Sequence, residues 1–352
     1  MIGYYIHHHG MGHLRRAQAI AAYLPPGSVT GLSTLPRPAG WQGGWVQLEP
    51  DDTSSAPRSV DANGFLHWAP ARDPGMRARM AQVSAWIQDT DPAVLVADVS
   101  VEAALLARLH GVPVVTVALP GVRDDRPHTI GFGVSDAVIA AWPPEAPQML
   151  HTDGDVPLQA VGAISGIPAQ PGRLPGPVSR VLVLGGAGGG GMDDAALANA
   201  RSQTPGVEWI PLGTKPGNRT ADPLPHLIAA DLVLTHAGQG ALADVAAAGV
   251  PAVVVPQDRP YLEQTTTGKA LAGMDLPVII SPGFARQDWA AVLEAAARLD
   301  GRKWNAWNDG KGAERAARII GGTAGITTLP GTRVPSEDVP FSHAAAESGA
   351  GA

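Results

Sequence analysis

The chain of 352 residues contains no cysteine. Disulfide bonds, thiolate metal sites and cysteine nucleophiles are therefore excluded, and a reducing compartment fits this composition. Only 16% of the residues are charged and the formal net charge is -7, so the charge balance does not favour nucleic acid as a partner. Hydrophobic residues make up 45% of the chain, which is ample for buried cores.

Long apolar runs are also missing. No segment approaches the roughly 18–20 apolar residues that a membrane-spanning helix needs. The segment 1–9 lacks the basic region and following apolar run of a secretory signal. We therefore expect a cytoplasmic protein with at most a peripheral membrane contact. At roughly 100–200 residues per domain, the length indicates about two domains.

Short apolar runs alternate with helical segments in both halves of the chain, and this alternation predicts parallel sheets covered on both faces. We predict an α/β fold with two Rossmann-like, doubly wound domains, residues 1–165 and 178–320. A linker rich in proline and glycine, residues 166–177, joins them, and residues 321–352 form a disordered tail. The predicted strands are 2–6, 94–97, 114–118, 137–140, 181–184, 207–210, 232–235, 252–255 and 278–280. The predicted helices are 13–24, 101–110, one from near 193, 240–248, 262–271, 288–299 and 313–320.

The most specific motif lies in the second half. His236 and Gly238 directly follow a predicted strand, and a helix begins at Gly240. Backbone N–H groups at a helix start, here around Gln239, bind anions such as phosphate, and a neighbouring histidine fits the same ligand. One turn further on, the Asp244 carboxylate can accept hydrogen bonds from the vicinal hydroxyls of a ribose.

Two further polar residues, Glu263 and Gln264, begin the next predicted helix, where they can bind the hydroxyls of a sugar. Taken in order, this segment resembles the donor-binding signature of glycosyltransferases with the GT-B fold. It is similar to UDP-glycosyltransferases and to the N-acetylglucosaminyltransferase of peptidoglycan synthesis. The resemblance implies two domains facing a cleft. It also implies that His236 contacts a donor phosphate, Asp244 the ribose, and Glu263 with Gln264 the sugar. The family's usual acid at the ribose position is glutamate, one methylene longer than Asp244.

A glycine loop follows the first strand of the second domain, residues 185–191, and we place Gly186 and Gly188 near the donor diphosphate. The loop also satisfies a G-x-G-x-x-G pattern, with Glu208 near the position of a ribose-binding acid, so NAD binding is an alternative. That alternative leaves the segment from His236 to Gln264 unexplained. A Walker loop is excluded because no Lys-Ser/Thr follows.

The first half has its own glycine-rich turn, in which Gly12 precedes His13 at a helix start. An imidazole titrates near neutrality, which suits a general base. The turn resembles the Gly-His-x-x-Arg turn of nucleotide-sugar hydrolases, which adds Arg16 to the donor site. Asp98 ends a later strand of the same sheet, so we predict a catalytic pair of His13 and Asp98. The alternative is that Asp98 caps the following helix.

A charged loop after the predicted strand 114–118 contains Arg123, Asp124 and His128. It is either a solvated turn or part of the acceptor wall, because functional residues favour loops. His7, His8 and His9 lie on adjacent strand positions, so their side chains alternate in direction and cannot all bind one metal ion. We expect no metal and no cofactor.

Together these motifs predict an inverting transfer of a sugar, UDP-linked by the resemblance, to an unidentified hydroxyl. The acceptor is a small molecule, a lipid-linked compound or a glycan. The charge stabilisation needed at the leaving diphosphate would come from the glycine loop and His236. The alternatives are a nucleotide-sugar hydrolase of the same fold, in which His13 activates water, and a non-catalytic nucleotide-sugar binding protein.

Overall fold

The computed structural model describes residues 1–185, 192–218, 220, 222–285 and 287–328. Within them the chain forms two parallel sheets, each with helices on both faces, which confirms the predicted α/β class. Gly186, Gly188 and most of the predicted tail lie outside the described residues. No helix in the described part of the chain is long and apolar enough to cross a membrane.

The first sheet has the strand order β3-β2-β1-β4-β5-β7-β9, and every neighbouring pair is parallel. A small parallel pair, β6 and β8, stands apart from it. The strands are β1 Ile2–Ile6, β2 Val29–Ser33, β3 Trp45–Gln47, β4 Val94–Asp98, β5 Val114–Ala118, β6 Gly121–Val122, β7 Ala137–Ala140, β8 Leu150–His151 and β9 Leu158–Ala160. The helices of this part are α1 Gly12–Ala21, α2 Pro74–Thr90, α3 Val101–Leu109 and α4 Arg126–Gly133.

The second sheet is also entirely parallel, with the order β11-β10-β12-β13-β14. Its strands are β10 Arg180–Leu184, β11 Glu208–Leu212, β12 Leu232–His236, β13 Ala252–Val255 and β14 Val278–Ile280. The helices are α5 Asp194–Gln203, α6 Leu224–Ala229, α7 Gln239–Ala248, α8 Glu263–Ala272, α9 Trp289–Ala296 and α10 Gly312–Thr323, with 3-10 turns at Pro216–Asn218, Pro260–Leu262 and Gly301–Ala306.

Alternate residues along the strands of the first sheet face opposite sides of the sheet, and each side packs against its own helices. In the first sheet, Tyr4 and its same-facing neighbours pack against α1 and α10, whereas Tyr5 packs against α2 and α3. Both faces of these strands are therefore buried, which explains why they read as continuous apolar runs. The exposed edge of the sheet carries the short strand β3.

The last helix returns to the first sheet. Ala316 and Ile320 of α10 are fully buried in the core of the first domain. The helix extends to Thr323, so residues 321–323 are helical although the sequence analysis placed them in the tail. Before the helix, Trp304 and Trp307 are buried, and the Trp304 indole donates to the carbonyl of Val250.

The segment predicted as a linker is held against the second domain. Arg173 N donates to the carbonyl of Gly249, and the Arg173 carbonyl accepts from Gly301 N. Gly249 has a φ of +67°, and a Cβ there would lie 2.4 Å from the Cα of Gly172. A side chain at position 249 would therefore collide with the backbone of the linker, which requires glycine there.

Candidate active site

The carboxyl ends of β1 and β4 place the predicted pair side by side. His13 Nδ1 lies 2.9 Å from Asp98 Oδ1, and the Asp98 side chain is fully buried. Because Asp98 ends β4 in register with Ile6 of β1, the turn after β1 passes directly over its carboxylate. Both residues were predicted from their positions at strand ends, and the structure brings them together.

Arg16, one turn further along α1, fixes the Asp98 carboxylate from the other side. Its Nε donates to Oδ2 at 3.2 Å and its Nη2 to Oδ1. Burial alone would raise the pKa of Asp98, but the charges of Arg16 and His13 hold it well below its usual range. Arg16 Nη2, which can only donate, also lies 3.0 Å from His13 Nδ1, so the position of the His13 proton depends on which of the two neighbours Nδ1 bonds. In the tautomer in which Nδ1 donates to the ionised Asp98, Nε2 has a free lone pair.

Arg16, predicted as a donor-binding residue, contacts both the first-domain carboxylate and the predicted donor site. Its guanidinium is buried against Asp98, and Nη1 donates to Gln239 Oε1 of the second domain at 3.4 Å. In this structure Arg16 therefore links the histidine–aspartate pair to the start of α7. The sequence motif contains no signal for this, because Gln239 is more than 200 positions away.

The alternative role of Asp98 as a helix cap is wrong. Ser100 occupies the N-cap of α3, and its hydroxyl accepts from Ala103 N at 3.2 Å. Glu102 in the first turn accepts hydrogen bonds from the backbone N–H groups of His67 and Trp68 at 2.8 and 3.0 Å. It thereby holds a long loop, 48–73, against the cavity.

On the donor side, His236 ends β12 and is buried. Its Nδ1 lies 3.3 Å from the carbonyl of Val255, and its ring packs edge-on against Phe284 at 5.2 Å. Burial lowers the pKa of His236. The free protein thus holds a neutral imidazole whose Nδ1–H donates to Val255.

The start of α7 faces the start of α1. Gly238 is the N-cap of α7 and no side chain caps this end, so the first-turn N–H groups remain available to an anion. A Cβ on Gly240 would lie 3.9 Å from the Cα of Gly12. The positive ends of two helix dipoles therefore meet in the cleft.

Asp244, on the next turn of α7, is held by groups from outside its domain. Ser165 Oγ donates to it at 2.6 Å, and Arg15 Nη1 lies 3.7 Å away. Burial raises its pKa. This carboxylate lies in α7 after the uncapped helix start at which the motif predicts an anion.

Glu263 and Gln264, the pair predicted to bind the sugar, lie in two different environments. Gln264 is buried, and its Oε1 accepts from Gln257 N at 3.0 Å. Glu263 points toward the first domain, where its carboxylate lies 3.8 Å from Arg123 Nη2. Burial raises the pKa of Glu263, against the opposing effect of Arg123.

A cavity of about 600 Å³ opens beside His13. Arg123 and His128 line it, whereas Asp124 is exposed and does not. The charged loop thus contributes two of its three predicted residues to this wall. Arg123 is buried, donates to the carbonyl of Pro120, and lies 4.3 Å from the ring centre of Tyr261. Burial and His67 lower the pKa of His128 to about 4.

Several cavity residues were not identified in the sequence. They come from the loop 48–73, from α2 and from the turn before α8, and they include Asp51, Asp52, His67, Trp68, Met76, Met80 and Tyr261. Around the cavity, two groups of described side chains bring their potential ligand atoms close enough to share one metal ion. They are His8 with His9 and Asp52, and His67 with Asp125 and His128. His67 lies in the irregular loop 48–73, whereas Asp125 and His128 belong to the N-cap and first turn of α4, so no single periodic pattern brings the three residues together.

The dinucleotide alternative fails on geometry. Glu208 pairs with Arg180 at 2.7 Å, and these two residues begin β11 and β10 in register. Glu208 therefore lies at the amino edge of the sheet, whereas a ribose-binding acid belongs at the carboxyl edge beside the glycine loop.

Comparison with known proteins supports the resemblance read from the sequence. Residues 222–276 match the model of the glycosyltransferase family 28 C-terminal domain, and this segment contains every predicted donor residue from His236 to Gln264. Among curated proteins, no sequence matches the chain. The glycosyltransferase assignment from the sequence is thus confirmed in the second domain.

Solved structures extend the similarity to both domains. The glycotransferase of kitacinnamycin aligns with a TM-score of 0.63 and 16% identity, covering 92% of this chain and 98% of its own. MurG of Acinetobacter baumannii aligns with a TM-score of 0.58 and 16% identity, covering 91% and 99%. SnogD of Streptomyces nogalater aligns with a TM-score of 0.58 and 17% identity, covering 92% and 99%. At these identities the likeness shows the fold, which is GT-B as predicted. With its family 28 segment, the protein is a glycosyltransferase of this fold.

Proposed function

We propose that the protein transfers a sugar from a nucleoside-diphosphate sugar to a hydroxyl group of an acceptor bound in the cavity beside His13. The observation that carries this proposal is the buried, ionised Asp98 within 2.9 Å of His13 Nδ1. This contact leaves His13 Nε2 as an acceptor for the proton of the attacking hydroxyl.

The chemistry is a single displacement with inversion at the anomeric carbon. The acceptor oxygen forms the new bond as the nucleoside diphosphate departs, and His13 takes the hydroxyl proton. The available N–H groups at the start of α7 and a protonated His236 stabilise the charge on the departing diphosphate, so no metal ion is required at the phosphates. In the product, the anomeric configuration is opposite to that of the donor.

The donor base is uracil or thymine. The resemblance read from the sequence favours UDP-sugars, whereas a fold relative, the spinosyn rhamnosyltransferase SpnG, was solved with thymidine diphosphate. Apolar side chains such as Phe132 and Trp68 on the cavity wall suit an acceptor with an apolar body. We place the reaction in the cytoplasm, which agrees with the absence of cysteine.

The test begins with a thermal-shift screen of UDP- and dTDP-sugars, since a ligand at about 100 times its dissociation constant adds roughly 2.7 kcal/mol of stability. The best donor is then labelled in the sugar and incubated with and without candidate acceptors. Transfer that depends on an acceptor, and that is lost in His13→Ala, supports the proposal. Rapid saturable hydrolysis without acceptor identifies a hydrolase instead, and donor binding without turnover on any acceptor identifies a binding protein.

A further inference from the structure

Three potential metal ligands meet beside the cavity, where two of them, His67 and His128, line its wall. His128 Nδ1 lies 2.8 Å from Asp125 Oδ1, and His67 Nε2 lies 3.6 Å from the same oxygen. The two imidazole rings are 4.4 Å apart between centres. One ligand atom from each residue falls within a common span of 4.8 Å.

These distances suit a bound transition metal. Zinc–nitrogen and zinc–oxygen bonds of about 2.0–2.2 Å in a tetrahedral site place neighbouring ligand atoms roughly 3.3 Å apart. The observed separations of 2.8 and 3.6 Å lie on either side of that value. Small shifts of the side chains would bring these two separations to the tetrahedral value.

One of the ligand atoms lacks a hydrogen bond in the described part of the chain. Within the described residues, His67 Nε2 is buried and has no hydrogen-bond partner. A buried polar nitrogen without a partner costs about 1–3 kcal/mol. The loop holding it is fixed, because the Glu102 carboxylate accepts from the backbone N–H of His67. A metal ion would satisfy this nitrogen in place.

The groups around the three ligands are aromatic and charged. The Tyr261 ring, from the second domain, lies edge-on to the rings of His67 and His128, with ring centres 6.0 and 5.0 Å away. Arg123 opposes the site, because its Nη1 lies 3.4 Å from His128 Nε2. That nitrogen would carry a proton when Nδ1 binds a metal ion, so Arg123 must turn away from it. Arg123 keeps its bonds to Pro120, and Glu263 partly balances its charge.

We propose that His67, Asp125 and His128 bind one divalent transition-metal ion of the Zn²⁺ or Co²⁺ type, with an open coordination position toward the cavity. Two imidazoles and one carboxylate favour such ions over Mg²⁺ or Ca²⁺, which prefer oxygen ligands. The open position would take water or an oxygen atom of the acceptor. The reaction proposed at the donor phosphates requires no metal ion there. The metal site proposed here is a different site, and it does not depend on that reaction.

The experiment uses Co²⁺ with the full-length protein, after treatment with a chelator. Visible absorption reports coordination geometry, and calorimetry gives affinity and stoichiometry. We expect one equivalent to bind, with the d–d absorption of a four- or five-coordinate ion. His67→Ala and His128→Ala should each weaken binding at least tenfold. Asp125→Asn should also weaken it while preserving the α4 cap, because Asn is an equally good N-cap.

The second cluster provides the matched control. His8 also has a buried nitrogen without a partner among the described residues, and its cluster includes the exposed residues His9 and Asp52. His9→Ala should leave Co²⁺ binding unchanged. No binding by the wild-type protein at millimolar Co²⁺, or a loss in His9→Ala with retention in His67→Ala, would overturn the assignment. Because no nucleotide sugar is used, the result is independent of the transferase proposal.

Discussion

Replacing Asp98 by asparagine should damage both folding stability and turnover, and the two effects can be separated. The carboxylate is fully buried between Arg16 and His13, and Arg16 itself is only 8% exposed. Removing one partner of a buried ion pair leaves the other charge unpaired, at a cost of about 3–5 kcal/mol. Asparagine keeps the shape and one acceptor oxygen, so we expect a loss near the lower end of that range.

The effect on turnover follows from the tautomer of His13. The amide nitrogen of Asp98→Asn can donate to His13 Nδ1, which moves the ring proton to Nε2 and removes the lone pair that accepts the hydroxyl proton. General-base catalysis contributes about 10²–10⁴-fold, and turnover per folded molecule should fall by this factor. Affinity for a free nucleoside diphosphate should remain near that of the wild type.

Urea denaturation measures the stability loss, and turnover of the best nucleotide sugar is normalised to the folded fraction. Adding His13→Ala to Asp98→Asn should cost little more than either change alone, since the residues act as one unit. Glu294→Gln, in an exposed ion pair with Arg298, should change neither quantity appreciably. A turnover loss below about tenfold, or additive losses in the double variant, would refute the role of Asp98.

Protonation of Asp98 at low pH should reduce the stability of the wild-type protein in part as Asp98→Asn does. The pKa of Asp98 is depressed in the folded state, so its stabilising contribution is fully present above the unfolded value of about 3.9. The contribution is lost as the pH falls from there toward the folded pKa. Asp98→Asn should therefore approach the wild type in stability only as the pH falls below about 4, and a stability difference that stays constant from pH 7 down to about pH 2 would contradict this.

Three further predictions concern His236 and Gln264 at the predicted donor site and Ser100 at the start of α3. Nucleoside diphosphate affinity should rise as the pH falls below neutrality toward the pKa of His236, which burial lowers, because His236 must gain a proton to donate to a phosphate. In His236→Ala, calorimetry should show affinity about tenfold or more weaker and largely without this pH dependence. Gln264→Ala should impair use of the nucleotide sugar more than binding of the free diphosphate; equal losses would mean that Gln264 only supports the loop at Gln257. Ser100→Ala should destabilise the protein by about 0.5–2 kcal/mol by urea denaturation, with unchanged turnover per folded molecule.

The residues predicted best from the sequence are those at the ends of buried strands. His13, Asp98 and His236 each follow a continuous apolar run, and parallel strands bring their carboxyl ends to one edge. The sequence therefore determined both the α/β class and the edge on which the polar side chains meet. Bounds of individual helices were less certain: the helix predicted over 13–24 spans Gly12–Ala21.

The acceptor wall could not be predicted in the same way. His67 lies in an irregular loop whose position depends on the distant Glu102, and Tyr261 reaches the cavity only because the two domains meet. Strand β2 also lacked a signal, because Gly31 interrupts its apolar run. The structure explains that glycine: a Cβ there would lie 2.4 Å from the Trp45 ring.

The polar groups predicted to read the donor are already engaged by protein partners. Gln239 accepts from Arg16, and Asp244 accepts from Ser165 with Arg15 nearby. A ribose that binds Asp244 must therefore replace the hydrogen bond that Asp244 already makes within the protein. The net gain in binding free energy is the difference between the new hydrogen bond and the one that it replaces. Since Arg15 and Arg16 belong to the first domain, this exchange ties donor binding to the contact between the domains. Donor specificity should accordingly depend on α1 of the first domain as well as on the family 28 segment, which contains the donor residues themselves.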